Sequence, residues 1–127
     1  MITEQEIEEP KQSLVKSQPR RVSDDEVEKA LSYLRDSARE IGGAKERLVK
    51  AGHMVKHVEA LMFLASEERS ADARRASART TDEYVEAINE EAIAAGEYER
   101  MKSLREAASA YIEAWRTEGA NYRAMRI

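Results

Sequence analysis

From Val27 onward the larger side chains recur at alternating steps of four and three: Val27, Leu31, Leu34, Ala38, Ile41, Lys45 and Leu48, with Lys45 as one polar seat. Such steps put side chains on one face of a helix and make a coiled-coil seam. The seam resumes through Val55, Val58, Met62 and Ala65, which predicts a register slip near Ala51 and Gly52. A second run holds Val85, Ile88, Ala92 and Ala95, then Tyr98, Met101, Leu104, Ala108, Tyr111, Trp115, Tyr122 and Met125. It predicts another slip between Tyr98 and Leu104. No run shows the β-branched alternation, bounded by turn residues, that marks strands.

Start signals sharpen these elements. Ser23-Asp24-Asp25-Glu26 and Thr80-Thr81-Asp82-Glu83 both read as capping boxes. The acids also suit the positive end of the helix dipole. The pattern predicts a flexible tail over 1–22, a first helix over about 24–68 and a second over about 82–125. Between them, 69–80 is a polar connector or a short helix. Gly42, Gly43 and Gly52 each cost about 1 kcal/mol relative to Ala inside a helix, so they mark a bend or a close crossing. The apolar period continues on both sides, so the helix is expected to run through them.

Helices of roughly 45 residues reach about 65–70 Å, and two of them form a rod that buries little alone. Leu61, Met62, Phe63 and Leu64 are apolar on more faces than a two-helix seam uses. The fold expected is therefore all-α: an elongated, coiled-coil-like antiparallel helical hairpin, completed by self-association into a helical bundle. Leu61, Phe63, Leu64, Tyr111, Trp115 and Tyr122 are the expected packing or interface residues, in a homo-oligomer that is a dimer or larger. Tyr111, Trp115 and Tyr122 share one stripe, and near Arg116 and Arg123 they also have the chemistry to stack on bases.

Composition agrees with long helices. The 127 residues are 36% charged and 42% hydrophobic but only 6% aromatic, with two prolines, both in the tail. A net charge of −4 gives no global pull toward nucleic acid or acidic membranes. The chain has no cysteine, which excludes disulfides and cysteine-ligated zinc. No apolar run is long enough to span a bilayer, and Met1 to Glu6 lacks the form of a secretion signal. A cytoplasmic protein is expected, with no membrane partner.

Charge is nonetheless segregated. Asp82, Glu83, Glu86, Glu90, Glu91, Glu97 and Glu99 follow one another with no Lys or Arg between them. Arg69, Arg74, Arg75 and Arg79 cluster at the expected hairpin tip and are the candidate nucleic-acid contacts. Solvated faces of a helical rod carry such charge runs too. In the tail, Ile7, Leu14 and Val15 belong either to a solvated segment or to a short partner-docking peptide.

Catalytic constellations are not found. His53 and His57 share a helix face at a spacing that suits zinc, but the flanking residues supply no third ligand. Lys50 and Met54 stand where a di-iron bundle needs glutamates. There is no phosphate-binding glycine loop and no nucleophile elbow. No cofactor, metal site or enzymatic activity is expected.

The run Glu106 to Thr117, EAASAYIEAWRT, followed by Ala120-Asn121-Tyr122-Arg123, resembles the C-terminal signature E-A-A-x-A-x-I-E-x-W-R-T-x-x-A-x-x-R of a family of small helical phage and prophage proteins. Their Pro-Glu-Tyr before the second helix has Asp82-Glu83-Tyr84 in its place here, and the residues around Met62 resemble the apolar end of their first helix. The resemblance covers roughly 35–125; the tail and Gly119 depart from it. It implies a non-enzymatic accessory in phage DNA recombination or replication, working through protein contacts and weak DNA contacts. An inhibitor or adaptor that binds a host protein through its acidic flank or tail is the alternative, as is a purely structural assembly component. No functional residue transfers, because the signature reads equally well as a packing pattern.

Overall fold

A computed structural model of the chain describes residues 22–125. Among the described residues three helices follow in order: α1 over Asp24–Ala65, α2 over Ala71–Ala78 and α3 over Asp82–Met125. No strand occurs among the described residues. The two long helices pack against each other as an antiparallel hairpin, and α2 sits at the turn against α1. The expected tail, with Ile7, Leu14 and Val15, lies outside the described residues except for Val22.

Each helix boundary has a local cause. The Ser23 hydroxyl accepts the Glu26 N–H at 3.2 Å and opens α1, whose first turn holds Asp24, Asp25 and Glu26. The helix then runs without a break through Gly42, Gly43 and Gly52. It ends at Ala65, three residues before the expected boundary, because Ser66 adopts an extended backbone and its hydroxyl accepts the Glu68 N–H. Ser70 caps α2 by accepting the Ala73 N–H at 3.1 Å. At the start of α3 the cap is Thr81, which accepts the Tyr84 N–H at 3.2 Å. The residue three beyond Thr81 is a tyrosine, so the expected reciprocal capping box becomes a single cap.

The seam differs from the one the apolar pattern predicts. On α1 the covered line is Val27, Ala30, Leu34, Ser37, Ile41, Ala44, Leu48, Ala51, Val55, Val58 and Met62. On α3 it is Tyr84, Ala87, Glu91, Ala94, Tyr98, Met101, Arg105, Ala108, Ile112 and Gly119. Both lines hold one seven-residue register from end to end, so neither expected slip exists. Leu31, Ala38 and Lys45 flank the line on α1, as Val85, Ile88, Leu104 and Tyr111 do on α3. Size explains the difference. Alanine or serine at most alternate seam positions lets the helices approach closely, and Leu31, Lys45, Ile88 and Leu104, next to those positions, stand to the sides.

Lys45 is thus not the polar seat; its ammonium lies 4.9 Å from the centre of the Tyr98 ring. The polar seats are Ser37 and Arg105. Arg105 Nη1 donates to Ser37 Oγ and to the Leu34 carbonyl, both at 2.7 Å, while Ser37 donates to the Tyr33 carbonyl. Glu91 occupies the space beside Gly52, where an added Cβ would lie 2.9 Å from its carboxylate. This contact is with the end of a flexible side chain rather than with the backbone of α3, and a Cβ on Gly42 would meet only open space.

Candidate functional site

Small and large residues alternate along the seam, and the hairpin leaves several further apolar groups outside it. Among the described residues the buried positions are Val27, Ala30, Ser37, Ala44, Ala78, Ala87 and Ala108, and no large side chain is fully enclosed. Leu61 is 46% exposed, Leu64 72%, Tyr111 51%, Trp115 40% and Tyr122 43%. These expected packing residues therefore take little part in the intrachain core. Phe63 is half-covered, its ring under the Arg74 guanidinium at 5.7 Å.

Seven-residue spacing sorts the outward residues onto two sides of the hairpin. One side carries Tyr33, Arg47, Met54 and Leu61 from α1, and Glu83, Glu90, Glu97, Leu104 and Tyr111 from α3. The Arg47–Glu97 ion pair, at 2.7 Å, links the two rows near mid-length. Toward the open end, Tyr33, Leu104 and Tyr111 wall a shallow groove of about 380 Å³ whose floor includes Ala30 and Ala108. Toward the tip, Met54 and Leu61 stand beside the acidic row of α3. The opposite side carries Leu31, Val85 and Ile88.

At the tip the four candidate arginines serve mostly local structure. Arg74 Nε donates to the Glu68 carbonyl at 2.8 Å, Arg75 pairs with Asp72 at 3.3 Å, and Arg79 pairs with Glu59 at 3.1 Å. Arg69 is exposed and is the one of the four with no such partner among the described residues. Arg79 and Ala78, the latter fully covered, hold the end of α2 against the hairpin. At the open end, Trp115 Nε1 donates to Asp24 Oδ1 at 2.9 Å, and the Val22 N–H donates to Glu118 at 2.9 Å. The tryptophan thereby fastens the two helix ends while part of its ring stays in contact with solvent.

His53 and His57 are both exposed. Among the described residues no cluster of three His, Asp or Glu side chains is placed to hold a metal. No helix there is long and apolar enough to cross a membrane. Pattern reading missed the Tyr33–Leu104–Tyr111 groove. Its signal was present in the seven-residue spacing of those positions, once the alanines are taken as the seam. Compared with family models, curated proteins and solved structures, the chain matches none.

Proposed function

We propose that this chain is a non-enzymatic accessory protein that works by protein contact and self-associates through the apolar residues its hairpin leaves outside. One observation carries the reading: the seam, where small residues alternate with larger ones such as Leu34, Ile41, Leu48, Tyr98 and Met101, fully encloses no large side chain, while Met54, Leu61, Leu104 and Tyr111 each remain about half exposed. Exposed apolar groups gathered on one side of the hairpin, at its two ends, suit contact with another protein. The EAASAYIEAWRT resemblance supports a phage recombination or replication setting, in the host cytoplasm. Weak contacts to DNA phosphates come from the tip, with Arg69 the freest cation and Arg75 and Arg79 partly exposed.

Two measurements test this. Sedimentation at micromolar concentration is expected to show a dimer or larger species, and a monomer refutes the self-association. Binding to single- or double-stranded DNA is expected at low salt and to weaken on Arg69→Ala. Absence of binding at low salt removes the DNA contact from the proposal.

A second reading has its own observation. Glu83, Glu86 and Glu90 are exposed, and no described cation pairs with them. This flank fits an adaptor for a basic host protein. A host protein recovered by pull-down and lost on Glu86→Lys, together with no DNA affinity, would favour it.

A further inference from the structure

We infer that the side carrying Tyr33, Leu104 and Tyr111 is a two-fold interface for an antiparallel second copy of this chain, with Leu61 of each copy seated in the Tyr33–Tyr111 groove of the other. This deepens the self-association proposed above and rests on it.

The argument is one of self-complementarity. A two-fold axis across a rod brings each feature at a given distance on one side of the axis against the feature at the same distance on the other. The Arg47–Glu97 ion pair lies near the centre of this side. Tyr33 and Leu61 stand equally far from Arg47 along α1, fourteen residues in either direction. Tyr111 and Glu83 stand equally far from Glu97 along α3. Fourteen residues of helix span about 21 Å. An axis through the ion pair therefore carries Leu61 of one copy onto Tyr33 of the other, where the groove lies. It also sets Met54 opposite Glu40 and brings the two partly exposed Arg47–Glu97 pairs together, where each arginine can reach either glutamate.

The two features match in shape and chemistry. The groove is shallow and mainly apolar: Ala30 and Ala108 lie at its floor, Tyr33, Leu104 and Tyr111 form apolar walls, and Glu26 and Lys29 also line it. Leu61 is 46% exposed and projects from the same side, with Met54 one heptad nearer the axis. Leu104 and Tyr111, at 53% and 51% exposed, lose solvent contact only if something fills the groove. Glu83 and Glu90 fall opposite Tyr111 and Leu104 of the second copy, where the flexible glutamate stems let their carboxylates stay in water at the edge.

The area suffices. The face from Tyr33 to Leu61 is about 42 Å long and, at two helix diameters, about 20 Å wide. That is about 800 Å² per copy, the size of a standard stable interface.

Because the chain has no cysteine, engineered thiols report the geometry cleanly. Tyr33→Cys and Leu61→Cys chains are prepared separately, mixed, and oxidised with oxidised glutathione; sedimentation is run on the unmodified chain alongside. The expected result is a dimer by sedimentation, with the mixed disulfide between positions 33 and 61 forming at least about tenfold faster than either symmetric disulfide, since only that pair is held together. A dimer whose mixed disulfide forms no faster overturns this interface while leaving self-association intact. A monomer overturns both. As an independent check, Leu61→Glu is expected to give a monomer of unchanged helical circular dichroism, because Leu61 lies outside the hairpin seam; an unaltered dimer also overturns the interface.

Discussion

The guanidinium of Arg105 crosses from α3 to α1 and divides one nitrogen between Ser37 Oγ and the Leu34 carbonyl, at 2.7 Å each. Among the described residues it is the one charged side chain that donates across the seam to a partner within it, in a row otherwise dominated by alanines and medium-sized apolar groups. Arg105→Ala removes a charge-assisted donor from two part-buried acceptors and is expected to cost about 1–3 kcal/mol. Urea unfolding checks this as a lowered midpoint at unchanged slope. Arg105→Leu is expected to cost less, because a packed apolar group replaces the polar contact. A larger loss for the leucine variant would contradict that account.

Gly42 and Gly96 lie inside helices, and a Cβ at either would meet nothing within 4 Å. Alanine at each site is expected to raise stability by about 0.5–1 kcal/mol through helix propensity alone. In thermal melts that is a rise of several degrees per substitution. The gains should add, since the two sites share no partner.

Trp115 donates to Asp24 Oδ1 at 2.9 Å and thereby ties the first turn of α1 to α3. Asp24→Ala removes this bond and a favourable charge at the helix start, with an expected loss of about 1 kcal/mol. Trp115 is the only tryptophan, so its fluorescence reports the site directly. A red shift of its emission is expected, with amide exchange accelerated more near residue 24 than near Ala44. Equal acceleration at both places would show that the bond supports the whole hairpin rather than its open end.

Arg74 covers the Phe63 ring and bonds the Glu68 carbonyl, so it braces the link between α1 and α2. Arg74→Ala is expected to speed proteolysis within residues 66–70 while changing global stability by less than about 1.5 kcal/mol, the scale of one exposed cation–π contact and one hydrogen bond. Equal protection of this link in variant and parent would show that the brace is dispensable.

The helical hairpin was legible in the sequence because long periodic segments bounded by capping residues leave little else for the chain to do. The start of α3 at Asp82 falls where the pattern predicts, as does the Ser23 cap. The line of contact within each helix was legible in part: Val27, Leu34, Ile41, Leu48, Val55, Val58, Met62, Tyr98, Met101 and Ala108 lie on it as expected. By side-chain size Leu31, Lys45 and Leu104 are the expected neighbours, whereas the contact runs between them through Ala30, Ser37, Ala44, Ala87 and Ala94. The two expected slips arose from drifting between that inner line and its flanks. The tip shows a different limit. Its arginine cluster was visible as charge, but the partner of Arg79 is Glu59, twenty residues away on another helix, and only the turn of the chain brings them together.

The short turn between Arg79 and Thr81 governs more than its neighbourhood. A single residue inserted there would rotate every side chain of α3 by about 100° around its axis. Arg105, about 36 Å farther along the helix, would swing off Ser37, and Trp115 would leave Asp24. The inner alanines would rotate away with them, since one rigid helix transmits the change undiminished. Three residues at one end of the molecule thus set the phase of the whole surface, including the groove at the other end.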